Sequence, residues 1–452
     1  ALEENTTAGT NVAIGYKALE ANTTGSSNTA LGYTALVSNT VNGGNTGLGA
    51  YALLNNTTGA TNTAIGDQAL KNNTTASNNA AGGYRALEEN TTGASNTAFG
   101  SEALRENTTA SNNTAFGYGA LFANTTGTSN CAFGAYALDA VTTADNNNAF
   151  GYIALGKCTT GTKNNAFGKS AGQEVTTGGS NTLIGHDAAG NLTTGSSNTC
   201  VGRSSGVGLT DGAQNVIVGA ESQNSGNVSN QTMVGYLAAN SATGSNNCGF
   251  GMMALYGLST GVDNVAMGKQ ALQDVTTGSN NIGFGLDAGR SGSPSGSITT
   301  GSNNVVLGNN SISNLYCADT SISSSDARDK TDIEKFTHGL DWITAMNPVT
   351  YRWDRRTWYG TDDPNTKGTP DGSKKRARIH IGFLAQEAIE VEKKFGYAGN
   401  KDDMLIVNQD EDEKDPSYGY KYERLVPVLV NAIKELSAEN TALKQRLDAA
   451  GL

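Results

Sequence analysis

The strongest constraint on the fold is a glycine that recurs every 17 residues through most of the chain. The unit reads Asn-Thr-Ala-(Phe/Ile/Leu)-Gly-Tyr-x-Ala-Leu-x-x-Asn-Thr-Thr-Gly-x-x, and its spacing drops to 16 before Gly235 and Gly251 and loosens at Gly308. A unit this short predicts one coil of a parallel β-solenoid over residues 1–310, with short strands separated by Asn/Thr/Gly turns and stacked in register. The glycine supplies a backbone angle or a close approach that a Cβ would block. The regular series is Gly15, Gly32, Gly49, Gly66, Gly83, Gly100, Gly117, Gly134, Gly151, Gly168, Gly185, Gly202 and Gly219.

The unit places apolar residues at adjacent positions, such as Ala98 with Phe99 and Ala103 with Leu104. Neighbouring residues of a strand face opposite sides, so a small alanine inside the coil sends its large neighbour outward. An outward row of Phe, Ile and Leu is a surface that monomers avoid. We therefore expect an oligomeric rod, most simply a trimer. The alternative is a wider monomeric coil that holds both residues inside.

Two residue types in the array invite other interpretations. The Asn-Thr-Thr triplets match the N-glycosylation pattern, but their strict periodicity predicts turns. The five cysteines are odd in number and lack metal-like spacing, so we expect them to be free and mostly buried. The triplets begin at Asn22, Asn56, Asn73, Asn90, Asn107 and Asn124, and the cysteines are Cys131, Cys158, Cys200, Cys248 and Cys317.

Composition divides the chain into two regions. Residues 1–316 carry 10 of the 30 Lys and Arg and 17 of the 41 Asp and Glu, whereas all three tryptophans come later. The net charge of −11 argues against nucleic-acid binding, which needs a basic face. No apolar run is long enough to span a membrane, and no cofactor or metal is expected. The chain opens in the middle of a repeat, so we expect it to be the C-terminal part of a longer protein.

The period ends at a polar seam, and a different kind of sequence follows. Residues 311–325 read as a linker that leads to Ser325-Asp326-Ala-Arg328-Asp-Lys330. Segments Thr331–Lys335 and Leu340–Met346 read as helical. Asn347-Pro-Val-Thr-Tyr-Arg-Trp353 then reads as a turn and strand, Ile379–Phe383 as a strand, and a helix begins within Gly382-Phe-Leu-Ala-Gln-Glu387.

These three motifs, in this order before a terminal coiled helix, resemble the endosialidase-type intramolecular chaperone family. The resemblance covers about residues 318–452. It implies a domain that drives trimerisation of a β-rich phage fibre and then releases itself by autoproteolysis. It also implies that Ser325 and Lys330 form a Ser–Lys pair and that the chain is cut at Ser325–Asp326. The repeats themselves resemble the heads of trimeric autotransporter adhesins and phage tail-fibre shafts.

The chemistry of this pair leaves several routes open. A serine hydroxyl becomes a nucleophile when a base takes its proton, and a desolvated lysine can act as that base. The five-residue separation does not decide whether Ser325 and Lys330 meet within one chain. Attack by Ser325 on its own carbonyl needs a strained four-membered ring. The nucleophile therefore comes from another copy, or a water is activated, or the cut precedes Ser325. A polar linker without chemistry is the simpler alternative.

The last segment carries a heptad pattern. Leu429, Leu436 and Leu443 take one core position, and the other is taken by Val426, Ile433, Asn440 and Leu447. Ile and Val at one position with Leu at the other slightly favour two strands in isolated parallel coils. The family resemblance implies three.

Other candidate residues have simpler explanations. A Ser–His role for His380 is conceivable, but we expect His380 and His338 to be packed or solvent-facing. The acidic run Asp410–Glu413 reads as a solvated loop rather than a cation site. A glycan-degrading spike would need a carboxylate pair in a cleft, whereas Asp67, Glu102 and Asp187 are scattered at positions that we take as non-equivalent.

The predicted fold class is mainly β: a trimeric parallel β-solenoid rod (1–310), a linker (311–325), an α+β chaperone core (326–424) and a coiled-coil helix (425–452). The predicted function is that of a homotrimeric virion tail fibre that binds a host cell-surface receptor and joins tail or baseplate proteins through a preceding region. The autoproteolytic serine peptidase would act once, and no turnover enzyme is expected in the repeats. The alternatives are a bacterial surface adhesin, a contractile-injection fibre or a glycan-degrading tailspike.

Overall fold

The computed structural model describes residues 1–223, 225–312, 331–356, 359, 368–409 and 416–451. The chain divides into two compact units, Ala1–Asn314 and Leu315–Leu452. The mainly β fold class is confirmed: the first unit is a parallel β-solenoid, and the second is a small α/β region that ends in a helix. The trimer stays a prediction.

Each coil of the solenoid contributes one three-residue strand, and each strand pairs in parallel with the next along the chain. Equivalent residues of successive repeats are partners in the ladder, as with Ala98 and Ala115. The strands are β1 Val12–Ile14, β2 Thr29–Leu31, β3 Thr46–Leu48, β4 Thr63–Ile65, β5 Ala80–Gly82, β6 Thr97–Phe99, β7 Thr114–Phe116, β8 Cys131–Phe133, β9 Asn148–Phe150, β10 Asn165–Phe167, β11 Thr182–Ile184, β12 Thr199–Val201, β13 Val216–Val218, β14 Thr232–Val234, β15 Cys248–Phe250, β16 Val265–Met267, β17 Ile282–Phe284 and β18 Val305–Leu307.

The periodic glycine follows each strand because two coils touch there. Gly100 has φ +143°, and a Cβ on it would overlap the carbonyl of Gly117, whose carbon would lie 2.6 Å away. Both the backbone angle and the contact exclude a side chain. Coil length varies elsewhere: 23 residues, rather than 17, separate hydrogen-bonded partners between β17 and β18.

Alternation within the strand is confirmed. Ala98 is fully buried, whereas Phe99 keeps 39% of its surface exposed. Phe99, Phe116, Phe133, Phe150 and Phe167 stack along the outside, with ring centroids 4.7–5.4 Å apart. The wider coil with both residues inside is therefore wrong at this position, and an apolar row runs along the outer surface of the solenoid.

The same expectation is wrong for Ala103 and Leu104, because both side chains are fully buried. Leu104 lies in a turn and has φ +52°, in the left-handed region. The alternation of side chains applies to extended backbone, so a left-handed residue can point its side chain to the same side as its neighbour. The leucine of each turn thus fills the core together with the alanine.

The interior also holds charge and amide groups in register. Glu88 is 3% exposed and lies between cations of the adjacent coils, 3.8 Å from Lys71 Nζ and 3.2 Å from Arg105 Nε. Asn107 is fully buried and donates to Asn90 Oδ1, so the side chain of this Asn-Thr-Thr triplet lies inside the coil, as turn geometry requires.

The cysteine prediction is confirmed for the residues that the structure describes. Cys158 and Cys200 are buried, Cys131 and Cys248 are half-buried, and all four are free. Burial raises the pKa of the Cys158 thiol to about 11 and that of Cys200 to about 12. Cys317 lies outside the described residues.

In its described residues, the second unit combines three helices with two short antiparallel pairs. No helix occurs at Thr331–Lys335, so that prediction is wrong; the segment is irregular. The elements are α1 Leu340–Ala345, β19 Val349–Tyr351, β20 His380–Gly382, α2 Ala385–Lys394, β21 Val407–Gln409, β22 Tyr418–Tyr420 and α3 Leu425–Ala449, with 3₁₀ turns at Lys401–Asp403 and Tyr422–Arg424.

Candidate functional site

The predicted cleavage residues lie outside the described part of the chain. Ser325, Asp326 and Lys330 fall between residues 312 and 331, so their pairing stays a prediction. The acidic run Asp410–Glu413 also lies outside. What the structure does define is the body of the domain that follows the seam and the helix that completes it.

The core of this domain is an aromatic cluster around Trp342. Trp342 is fully buried and stacks on Phe395 with ring centroids 4.9 Å apart. The ring of His338 lies 5.0 Å from that of Phe395, which makes it a packed histidine. Phe336 and Tyr397 pack against the cluster. His380 stacks on Tyr351 in the β19–β20 pair with centroids 5.6 Å apart, so both histidines occupy aromatic packing sites.

A buried carboxylate fixes the strand next to this core. Glu392 of α2 is fully buried and accepts hydrogen bonds from the backbone N–H groups of Leu405, Ile406 and Val407, at 2.7, 2.8 and 3.0 Å. Three donors on one carboxylate compensate its removal from water. The pKa of Tyr420 is raised above its ordinary range, first by burial and then by the charges of Tyr422 and Glu392. We call this arrangement of Glu392 and three N–H groups the carboxylate clamp. The sequence does not predict it, because a single Glu in an amphipathic helix is usually a surface residue.

The residues that follow the seam are attached directly to α3. Asn431 Nδ2 donates to the Phe336 carbonyl at 2.8 Å, and the Glu435 carboxylate accepts from the Leu340 N–H at 2.6 Å. A Cβ on Gly339 would lie 2.6 Å from the Asn431 carbonyl carbon, so only glycine permits this approach. The start of the domain and its terminal helix therefore form one packed structure.

The Gly382–Glu387 motif also contacts the turn that precedes α3. A Cβ on Gly382 would overlap the hydroxyl of Tyr422, and the Phe383 N–H donates to that hydroxyl at 3.3 Å. The glycine of the motif thus makes room for a tyrosine at the turn before α3. Asn347 of the second motif reaches the Glu387 carboxylate at 3.2 Å.

Helix α3 has two apolar faces of different status. Leu425, Val428 and Ala432 are buried against the domain. The adjacent face carries the heptad positions, whose apolar members keep between 43% and 67% of their surface exposed: Val426, Leu429, Ile433, Leu436, Leu443 and Leu447. Every residue from Leu436 to Ala449 is exposed. Together with Asn440, the six apolar side chains lie at alternating spacings of three and four, the pattern of a coiled-coil contact face.

Two kinds of site are not found in the described ranges. Among these residues, no three His, Cys, Asp or Glu side chains cluster in a way that could hold a metal ion. In the same part of the chain, no helix has the length and apolarity needed to cross a bilayer.

The acidic residues of the solenoid require one correction. Glu102 and Asp187 each stand two residues after a periodic glycine and are therefore equivalent, contrary to our expectation. They are separated by five coils, or about 24 Å at the spacing of neighbouring strands. Equivalence therefore does not bring them together as a catalytic pair.

The architecture defines the class of the protein: a long solenoid followed by a small domain whose terminal helix has an unpartnered heptad face. Residues 325–397 match the family model described as chaperone of endosialidase. The comparison with curated proteins and that with solved structures both give no match.

Residues 325–397, which contain the three motifs, thus match the endosialidase-type chaperone family that those motifs predicted. A β-solenoid that precedes such a domain fits a phage tail-fibre or tailspike-like protein.

Proposed function

We propose that this chain is a segment of a homotrimeric phage tail fibre that attaches to a host-cell receptor, and that its C-terminal domain directs assembly before cutting itself off near Ser325–Asp326. The observation that carries the proposal is the exposed heptad face of α3. Three copies of α3 side by side would bury these side chains and align the chain ends before the solenoids pack.

The repetitive structure of the solenoid explains why a separate assembly domain would be needed. Its coils are nearly identical, so pairing with a neighbour displaced by a whole coil costs little at most positions. Its strand pairs connect residues a full coil apart, which slows folding relative to local structure. A trimeric C-terminal domain would start the three chains in phase, and the outer Phe row would then be covered by other copies.

The assembly step is tested by size-exclusion chromatography with light scattering on the full chain carrying Ser325→Ala. Adding Ile433→Asp places a charge on the heptad face, and we expect monomers or a large loss of trimer. Lys434→Asp is the matched control, because it puts the same side chain on the neighbouring exposed position outside the face. Trimers of the Ile433→Asp chain as stable as those of the control would refute the role of α3.

The cleavage step is tested by a denaturing gel and N-terminal sequencing of the expressed chain. We expect two fragments, with a new terminus at or next to Asp326. Ser325→Ala and Lys330→Ala should each leave one intact chain, while Ser323→Ala, two residues away, should still be cut. An uncut wild-type trimer would remove the peptidase and leave the assembly function standing. Mixing Ser325→Ala and Lys330→Ala chains before assembly tests action between copies, since only that route restores cutting.

A further inference from the structure

One interior column of the solenoid changes chemistry partway along the chain. The residue seven positions after the periodic glycine is asparagine in the first coils, and every one of these side chains is fully buried. Each Nδ2 donates to the Oδ1 of the asparagine one coil earlier, at 2.8–3.1 Å. The column consists of Asn22, Asn39, Asn56, Asn73, Asn90, Asn107 and Asn124, and it is called the Asn ladder below.

From residue 141 onward the same column is apolar. Its members are again buried; the thiol of Cys158 donates to the Gly161 carbonyl at 3.3 Å, and the hydrocarbon members fill the interior without polar groups to satisfy. An irregular coil interrupts the series at Gly226, where buried Gln223 donates to the carbonyls of Ser225 and Ala242. The apolar members are Val141, Cys158, Val175, Leu192, Leu209, Ala242, Leu258, Val275 and Ile298.

Where the Asn ladder meets the apolar column, one polar atom is left without a partner. Asn124 donates to Asn107 and to the Gly127 carbonyl, but its own Oδ1 is buried and has no partner. The coil beyond it offers Val141, which has no donor to give. A buried acceptor without a partner is a weak point in an otherwise satisfied interior.

A second column changes at the same place. The asparagine four positions before each periodic glycine runs through nearly all coils. In the early coils its Nδ2 bonds to a carbonyl of the next coil, as Asn79 does to Gly93 at 2.9 Å, and Asn45 adds a long bond to Asn39 Oδ1 at 3.4 Å. From Asn147 onward, the Nδ2 of most members also donates to the Oδ1 of the asparagine one coil earlier. The distance from Asn181 Nδ2 to Asn164 Oδ1 is 3.0 Å. The side-chain network is thus rewired between residues 124 and 147.

We propose that the solenoid consists of two cooperative units that meet between Asn124 and Val141, and that the Asn-ladder unit opens while the apolar-cored unit stays folded. A ladder amide is satisfied only when the adjoining coils are in place, because a missing neighbour leaves a polar group unpaired. A valine or leucine is stabilised by burial against whatever apolar surface is present. The apolar-cored unit is the one that adjoins the chaperone domain in sequence.

Hydrogen exchange with mass spectrometry on the intact protein, at urea concentrations below global unfolding, tests this division. Opening of a cooperative unit exposes its amides together. We expect the strand amides up to β7 to exchange with one shared urea dependence and at least about tenfold faster than those from β9 onward. A single urea dependence shared by all strands would overturn the proposal, and so would a gradual change from one end to the other.

Two reciprocal variants sharpen the test. Asn124→Val shortens the ladder by one coil, and Val141→Asn lengthens it by one. We expect the boundary of protection to move by one coil in opposite directions, so that β8 joins the protected unit in the first variant and the labile unit in the second. Thr126→Val, on the exposed side of the same turn, should leave the boundary in place. A boundary that ignores both interior variants contradicts the assignment to the ladder, and the wild-type exchange pattern decides the two-unit division if a variant does not fold.

Discussion

Replacing Glu392 with glutamine should unfold the chaperone domain at much lower denaturant while leaving the solenoid intact. The carboxylate accepts two N–H groups on Oε1 and one, from Leu405, on Oε2. A glutamine can keep the pair on its oxygen, but its NH₂ group then faces the third N–H. The change therefore removes one hydrogen bond to a charged group, worth about 1.5–3 kcal/mol, and leaves the half-buried N–H of Leu405 unpaired at a cost of about 1–3 kcal/mol.

The expected loss is about 3–5 kcal/mol in the free energy of unfolding, which is much of the stability of a small domain. Tryptophan fluorescence reads this domain selectively, because all three tryptophans follow residue 316. Urea titration of the full chain should show a midpoint about 2 M lower for Glu392→Gln.

The matched control is Glu390→Gln on the same helix. Glu390 is 72% exposed and forms an ion pair with Lys393 at 2.9 Å. Exposed ion pairs contribute about 0–1 kcal/mol, so this control should behave like the wild-type chain. If Glu392→Gln and Glu390→Gln shifted the midpoint equally, the carboxylate clamp would not hold the domain together.

Two further changes address the solenoid. Gly100→Ala should lower the free energy of unfolding by more than about 3 kcal/mol and lower the melting temperature, because the Cβ overlaps the Gly117 backbone in a left-handed conformation. Gly9→Ala is the control: no atom lies within 4 Å of its Cβ, so it should be neutral in the same calorimetric scan. The thiols of Cys158 and Cys200, with pKa values raised to about 11 and 12, should resist iodoacetamide at pH 8 until the chain unfolds. A raised thiol pKa means that the folded state holds the proton more tightly, so stability should fall as pH rises above the unfolded thiol's pKa of about 8.5. Rapid labelling of the folded chain, or a stability that rises above that pH, would contradict the burial of these thiols.

The periodicity of the sequence was enough to predict the solenoid, since one coil length and one obligatory glycine leave few ways to stack the chain. The heptad spacing likewise predicted α3, and alternation predicted which side of the coil holds Phe99. Prediction was wrong at Leu104, where a left-handed backbone cancels alternation, and a turn of that kind has no signature in residue type alone.

Within the chaperone domain, motif order identified the family, but the structure shows what the motif residues do. Gly382 is required by the hydroxyl of a tyrosine forty residues later, and Gly339 by the close approach of α3. Glu392 looked like any helix-surface glutamate. Contacts of this kind join segments distant in sequence, so local patterns carry no trace of them.

The coil between β17 and β18 shows how the length of this protein can change. Its additional residues lie where Gly292 and Gly296 have no atom within 4 Å of a Cβ. The strand keeps its register, while the contact at the periodic glycine loosens: the atom nearest to a Cβ on Gly285 is the Gly308 Cα, at 3.1 Å. Ser293, between these two glycines, is 2% exposed and its hydroxyl donates to the Gly296 carbonyl, whereas Pro294 and Ser295 are exposed. A foreign peptide inserted between Pro294 and Ser295 would therefore spare the buried part of this turn, which makes that position a natural place to display an epitope or a binding loop.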